Sequence, residues 1–509
     1  MKQLTPQIIS DITKGEYIGD ISAQGVRVAG AVRDNRHVKP GNLFVCIRGK
    51  NVDGHSFANS AFDAGAACCL AEREIPDAIG PYVLVDSTLE AIQSLAAYYR
   101  GLFDIPIIGL TGSVGKTSAK ELIAAALGSK LNVLKTQGNL NNELGVPLTL
   151  LSLNEQHDVA VIEMGINDFG EMSLLAEMVR PDIFVMTKIG YSHLEKLGDL
   201  NGVLRAKSEA FSYMKAGGAA ILNGGAAVLN RGAAILSGGA AVLNGSATVL
   251  NGSATVLNGG AAVLNGSAAV LNESAAVLNG DDDLLWGYDP GMRKITFGID
   301  KRNDFRAENI HAEGTKAVLC DIASNAGQFP VRIPAYGVHL AQLAAAAAAV
   351  GHLFGISGDD ISRGLLSYAP VGGRANVADT GYITLINDCY NANPDSVGGA
   401  LTSLAALPNR CVAILGDMLE LGVLSDELHR KTGILAARDG IDNLICCGVN
   451  AALIYEGYKS AGGKAARYYH DKAELIAALP ELIKKGDAVL VKASRGMKFE
   501  EIVSFLQEM

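Results

Sequence analysis

Along most of the chain, short apolar runs bounded by Gly, Pro, Asn and Asp alternate with stretches whose apolar residues recur every three to four positions. The first hundred residues mix short strands with Gly and Asp turns. Asn42-Leu43-Phe44-Val45-Cys46-Ile47 followed by Arg48-Gly49 is one such unit. From residue 105 the pattern sharpens: 105–110 reads as a buried strand, 117–127 as a helix, and 159–162 and 183–187 as further strands. Strand and helix in alternation predict a parallel sheet with helices on its faces. The last third repeats the pattern, with strands predicted at 383–387, 412–415, 444–446 and 488–491 and a helix at 425–437. That predicts a second, Rossmann-like α/β domain. Pro370-Val371-Gly372-Gly373-Arg374 suits a hinge. The expected division is 1–100, 101–370 and 371–509, in keeping with a length of 509 residues and roughly 100–200 residues per domain.

One segment breaks this pattern. Between residues 217 and 279 a heptad repeats nine times, from GGAAILN to ESAAVLN, almost without charge. Gly and Asn punctuate each unit, so it is not a coiled coil. Asn-Gly is a strong turn signal and Ala-Val-Leu a short strand, which predicts stacked strand–turn units in a small solenoid or a meander. An unstructured, aggregation-prone insert fits the same composition.

Composition narrows the function. The net charge of -10 argues against a nucleic-acid binder, which carries a basic excess on one face. None of the eight cysteines forms a C-x-x-C pair, and most sit in apolar runs, so reduced core thiols in a cytoplasmic protein are expected. The polar stretch 1–15 has no apolar core of a signal peptide. The most apolar helix-like stretch, 340–354, is Ala-rich and short of the ~20 residues that span a bilayer.

The sharpest chemical signal is Thr111-Gly112-Ser113-Val114-Gly115-Lys116-Thr117, with Ser118 after it, lying between a strand and a helix. Glycines let backbone N–H groups approach phosphate, and the helix N-terminus adds positive potential. Lys116 can reach the outer phosphates of ATP and the Thr117 hydroxyl can ligate Mg²⁺. The spacing departs from the usual P-loop, because Gly109 stands one residue further out than expected. Glu163 ends the next strand, where a carboxylate is well placed for the same metal. Tyr390-Asn391-Ala392-Asn393-Pro394-Asp395-Ser396 predicts a helix start with Asn393 as N-cap and Pro394 in the first turn. Lys492-Ala493-Ser494-Arg495-Gly496 is either an anion-binding loop or a basic turn.

Taken in order, these runs resemble the Mur ligases over nearly the whole chain. The resemblance rests on the TGSVGKT loop, TQGNLNNELGVP at 136–147, Glu163-Met164-Gly165, His193-Leu194-Glu195 and Ala206-Lys207-Ser208-Glu209. It continues in Asn279-Gly280-Asp281-Asp282, Gly373-Arg374, the NANPDS run, and Gly416-Asp417-Met418-Leu419-Glu420-Leu421-Gly422. It implies three domains: one for a UDP-sugar, a central P-loop ATPase-like parallel sheet carrying the heptad insert, and a C-terminal Rossmann-like domain. NANPDS and GDMLELG imply the branch that joins D-alanyl-D-alanine to UDP-N-acetylmuramoyl-tripeptide in peptidoglycan synthesis, with ATP and Mg²⁺, as a cytoplasmic monomer without membrane insertion.

By that resemblance Lys116 neutralises the γ-phosphate, Thr117 and Glu163 hold one Mg²⁺, and His193 and a carbamylated Lys207 help hold a second. Asn279, Asp282 and Arg374 belong to the ATP site. Arg48, Asp53 and His55 belong to the UDP-sugar pocket, and Thr136, Asn142, Asp388, Asn391 and Asn393 to the substrates. The first heptad, 217–223, resembles the family's strand before the adenine site, leaving the later copies as an expansion. The chain departs from the pattern at Asn35, at Leu340 and Leu343 where asparagines are usual, and at Ala493. Two other readings share these residues. A ligase for another amine is opposed by NANPDS. A self-assembling repeat protein on a degenerate ligase frame is opposed by the intact Lys116, Glu163 and Lys207.

Overall fold

The computed structural model describes residues 1–49, 52–214, 254–257, 261–264 and 274–509. Three α/β sheets follow one another along the chain. The first holds β1 (Glu16–Ile18), β2 (Gly30–Val32), β3 (Asn42–Val45), β4 (Cys68–Ala71) and β5 (Tyr82–Leu84) in the order β1-β5-β4-β3-β2. Only β1 runs antiparallel to its neighbour.

The central sheet carries β6 (Ile107–Thr111), β7 (Val133–Lys135), β8 (Val159–Glu163) and β9 (Ile183–Met186). Outside it lies a small antiparallel pair within the heptads, β10 (Ala254–Leu257) and β11 (Ala261–Leu264). The sheet resumes with β12 (Ala275–Asn279), β13 (Arg293–Gly298), β14 (Phe305–Glu313), β15 (Ala317–Ser324) and β16 (Gly327–Ile333). Its order is β16-β15-β14-β13-β12-β9-β6-β8-β7, parallel from β7 to β14 and antiparallel beyond.

β6, β8 and β9 are buried along their whole length, as continuous apolar runs should be when helices cover both faces. One covering helix is Leu340–Leu353. Its residues 344–349 are all alanine and fully buried, and small side chains let it lie close against the helix Lys116–Leu127. Leu340 and Leu343 are core residues of this helix, 2% and 4% exposed.

The third sheet comprises β17 (Asn376–Asp379), β18 (Thr384–Asn387), β19 (Cys411–Gly416), β20 (Asn443–Cys447), β21 (Ala466–Tyr469) and β22 (Ala488–Lys492), in the order β17-β18-β22-β19-β20-β21. All but β17 are parallel. No helix among the described residues is long and apolar enough to cross a membrane.

The repeats require one correction. The strand slot between β9 and β13 is filled by Ala275–Asn279, the ninth heptad and not the first. The two parallel registers place the whole buried face of this strand, so the slot is complete without 217–223, which lies outside the described residues. Of the predicted meander, the described part is the antiparallel pairing of the sixth and seventh copies.

Candidate active site

β6 ends in the Gly-rich loop, and the helix Lys116–Leu127 starts from it. Gly112 and Gly115 have φ of 150° and 83°. A Cβ on Gly112 would stand 2.0 Å from the Thr187 hydroxyl, so only glycine fits there. Thr111 donates to Met164 O at 2.8 Å, and Ser113 Oγ donates to Gly190 O at 2.9 Å, fixing the loop to β8 and to the segment after β9. Lys116 Nζ turns back onto Gly112 O at 2.6 Å. Burial lowers its pKa; Glu163 opposes that shift and Arg374 adds to it.

Glu163 ends β8 fully buried. Its Oε1 accepts from Thr117 Oγ1 at 3.2 Å and Asn141 Nδ2 at 2.7 Å, and its backbone N–H donates to Thr136 Oγ1 at 2.9 Å. Glu163 Oε2 is buried without a hydrogen-bond partner. A carboxylate oxygen without a hydrogen bond, its nearest cation Lys120 Nζ at 3.8 Å, beside a threonine hydroxyl at a P-loop fits Mg²⁺, which takes one or two protein oxygens and completes its shell with phosphate and water. Among the described residues no group of three or more His, Cys, Asp or Glu could hold a metal. The donor set here is therefore one carboxylate and one hydroxyl.

Lys207, on the helix Leu200–Ser208, is 1% exposed. Burial, reinforced by Lys116, holds its pKa well below the usual lysine range. His193 adopts left-handed backbone (φ 55°), and its Nδ1 meets Glu420 Oε2 at 2.5 Å. Its pKa is lowered by burial, Glu420 opposing and Lys116 and Lys207 adding. The charges of Glu163, His193 and Lys207 are each coupled to that of Lys116.

Other expected residues are committed to the protein itself. Asn279 Nδ2 donates to Thr187 O at 2.7 Å. Asp282 caps the short helix Asp283–Gly287, and its second oxygen accepts from Ile189 N at 2.8 Å. Asn142 Oδ1 accepts from Gly145 N at 2.9 Å, and it is Asn141 that touches Glu163. Thr136 is fully buried. In the first domain Asp53 pairs with His55 at 2.6 Å and with Arg73 at 2.8 Å, while Arg48 bridges Asp53 through the backbone. His55 Nε2 accepts from Glu72 N at 2.9 Å. A cavity of about 650 Å³ nearby is lined by Arg36, His37, Lys39, Asn42 and Asn154, and none of Arg48, Asp53 or His55 faces it.

The third domain meets the central domain through its loops. Asn393 caps the helix Pro394–Ala405 with a capping box and donates to Ser113 O at 3.4 Å. Asp388 pairs with Lys492 at 2.5 Å, and Lys492 also donates to Asn391 O at 3.2 Å. Arg374 lies 4.3 Å over the Tyr390 ring. Three residues escaped the sequence reading. Asp395 accepts from Tyr191 N at 3.0 Å and pairs with Lys188 at 2.8 Å. Glu420 holds His193, and Gln342 reaches Asn279 at 3.2 Å and Asp281 at 2.6 Å. Their partners lie far off in sequence, so no local spacing announces them.

Family models match three parts of the chain: "Mur ligase family, catalytic domain" over 28–100, "Mur ligase middle domain" over 110–241 and "Mur ligase, glutamate ligase domain" over 373–495. The chain belongs to the Mur ligase family. Within it, relatives matched end to end point to one branch. The UDP-N-acetylmuramoyl-tripeptide–D-alanyl-D-alanine ligases of Bacillus subtilis and Escherichia coli are each 33% identical to it, over 100% of this chain and 99% of their own. Among solved structures, MurF from Acinetobacter baumannii is similar with a TM-score of 0.78 and 27% identity, covering 99% of both chains. MurF ligase from Thermotoga maritima, in complex with ADP, is similar with a TM-score of 0.72 and 25% identity over 95% of this chain and 97% of its own.

Proposed function

We infer that this chain is an ATP-dependent ligase that joins D-alanyl-D-alanine to UDP-N-acetylmuramoyl-tripeptide. The observation that carries the chemistry is Glu163 Oε2, buried without a hydrogen bond, beside Thr117 on the P-loop, with the charge of Glu163 bearing on Lys116. A carboxylate and an amine do not condense in water, so the acid must first be activated. The tripeptide carboxylate attacks the γ-phosphorus, the bond to ADP breaks, and an acyl phosphate forms. The dipeptide amine then attacks the acyl carbon and phosphate leaves. Positioning and charge neutralisation account for most of the catalysis in such transfers.

Lys116 neutralises the transferred phosphoryl oxygens. Thr117 and Glu163 would hold Mg²⁺, which would supply further neutralisation. Burial of Lys207 suits carbamylation, and a carbamate there, with His193, would serve a second ion. Arg374 reaches the nucleotide from the third domain, and Asn279 and Asp282 shape the ATP site by holding the segment 187–189. Thr136 and Asn142 lie on the substrate side, Thr136 also holding the backbone of Glu163. Asp388, Asn391 and Asn393 line the dipeptide side, and Arg48, Asp53 and His55 buttress the UDP-sugar side. The three parts correspond to 1–100, 101–370 and 371–509. The enzyme works in the cytoplasm, where ATP and nucleotide sugars are made, as a monomer.

The test is phosphate release from ATP with UDP-muramoyl-tripeptide, with and without D-alanyl-D-alanine, on the native chain and on Lys116→Ala. Release that needs both substrates and vanishes in the variant is expected. Release indifferent to the dipeptide would overturn the reading.

A further inference from the structure

In doubly wound sheets, ligands bind at the carboxyl ends of the parallel strands. In the third domain, loops after β18, β19 and β22 meet there. Ser494 stitches them, accepting from Leu419 N at 2.9 Å and donating to Ala392 O at 3.3 Å. Two guanidiniums stack on one ring at this crevice, Arg374 at 4.3 Å from the Tyr390 centroid and Arg495 at 5.3 Å.

The dipeptide brings an amine at one end and a carboxylate at the other, separated by at most about 7 Å at ~3.3–3.6 Å per residue. Its amine must reach the acyl phosphate at Lys116, so its carboxylate falls one dipeptide length away, on the third domain. Four cations stand at these loops among the described residues; Lys188, from the central domain, is held by Asp395 at 2.8 Å. Lys492 is buried and saturated by Asp388 and Asn391. Arg374 lies near enough for its charge to bear on Lys116, which commits it to the phosphate side. Arg495 remains, with a side chain 65% exposed and an ion pair to the half-exposed Glu500. Exposed pairs of this kind exchange readily. A guanidinium held flat on an aromatic ring presents a ready fork to a carboxylate.

We propose that Arg495 receives the terminal carboxylate of D-alanyl-D-alanine and so sets the enzyme's requirement for a free acid at that end. The assignment rests on the ligase reading above. The experiment compares D-alanyl-D-alanine with its C-terminal amide as amine substrates, in the native chain, Arg495→Gln and Arg495→Lys. In the native enzyme the amide lowers kcat/KM by about 10- to 100-fold, the weight of a charge-assisted hydrogen-bond pair. In Arg495→Gln the two substrates react alike, near the native rate with the amide, while Arg495→Lys keeps part of the preference. ADP binding by calorimetry stays at the native value in both variants, which establishes that they fold. An Arg495→Gln enzyme that still prefers the acid, or a native enzyme indifferent to the amide, overturns the assignment and leaves the ligase intact. No dipeptide-dependent product in the native chain overturns the ligase reading itself.

Discussion

Lys120 gives the sharpest test of how the site is held. It lies in the P-loop helix one turn beyond Lys116, fully buried. Its Nζ donates to Thr136 O at 2.7 Å and Gly138 O at 3.4 Å, and stands 3.1 Å from Glu121 Oε1 and 3.8 Å from Glu163 Oε2. Lys120→Met keeps the bulk and removes the charge. Two carbonyls lose their donor and two buried carboxylates lose a shared cation. Breaking a buried pair on one side costs about 3–5 kcal/mol. The lower end applies, because Glu121 keeps Lys135 and Glu163 keeps Thr117 and Asn141.

The single tryptophan, Trp286, belongs to the short helix after β12, so its fluorescence in urea follows the central domain. That suits a protein whose three domains need not unfold together. Adding Glu121→Gln to Lys120→Met removes one of the two carboxylates that lost the shared cation and should restore about 1–2 kcal/mol, although Glu121→Gln alone destabilises. A loss below about 1 kcal/mol in Lys120→Met, or strictly additive effects in the double variant, would refute a charge-compensating role.

Two further outcomes are expected. A chain lacking 217–272 keeps the ninth heptad and the Gly280-Asp281-Asp282 turn. Its phosphate-release rate should stay within about threefold of the native rate, since long insertions cost only about 0.6 kcal/mol per doubling of loop length; a sharp change in nucleotide affinity would show that the copies act on the site. All eight cysteines are buried. Burial pushes the thiols of Cys68 and Cys320 up to about 12 and those of Cys389 and Cys447 to about 11. A raised thiol pKa means less thiolate, so at pH 8 Ellman's reagent should label the native chain negligibly and all eight groups after denaturation. A rapid native burst would contradict this.

The sequence announced what local chemistry dictates. The P-loop is legible because strand, glycines and helix are consecutive, and Asn393-Pro394 because capping is local. Four of the third domain's six strands fall within a residue or two of their predicted spans, since buried parallel strands read as unbroken apolar runs, while β17 and β21 at the sheet's edges were not foreseen. Polarity alone did not give direction. Thr136 also accepts from the backbone N–H of Glu163 and Asn142 from that of Gly145, contacts that no spacing announced. Asp395 and Glu420 were invisible because each meets a partner about two hundred residues away. The three-residue strands β1 and β2 are too short for periodicity to declare. Leu340 and Leu343 depart from the family's usual asparagines. In the fold they pack in the core, Leu343 just beneath Gly115, and Gln342 supplies the polar reach to Asn279.

The choice of the ninth heptad follows from what comes after it. Ala-Ala-Val-Leu-Asn recurs in several copies, and a slip by one whole unit presents the same five side chains to the same faces. Burial therefore cannot select the register, as it does against a one-residue slip. The turn can. Only the ninth copy is followed by Gly280-Asp281-Asp282. Asp281 accepts from Ile299 N at 2.6 Å, Asp300 N at 2.9 Å, Asn303 at 2.7 Å and Gln342 at 2.6 Å, and Asp282 accepts from Ile189 N at 2.8 Å. Hydrogen bonds to charged groups contribute about 1.5–3 kcal/mol each, so losing even two of them outweighs any difference between copies. The eighth copy is excluded more simply. It would place Glu273 where Gly280 stands, and a Cβ there lies 2.0 Å from Asn303 Oδ1. A repeat whose units are interchangeable in the core is thus anchored by three residues outside it, which is why the array can vary upstream without disturbing the strand that the ATP site needs.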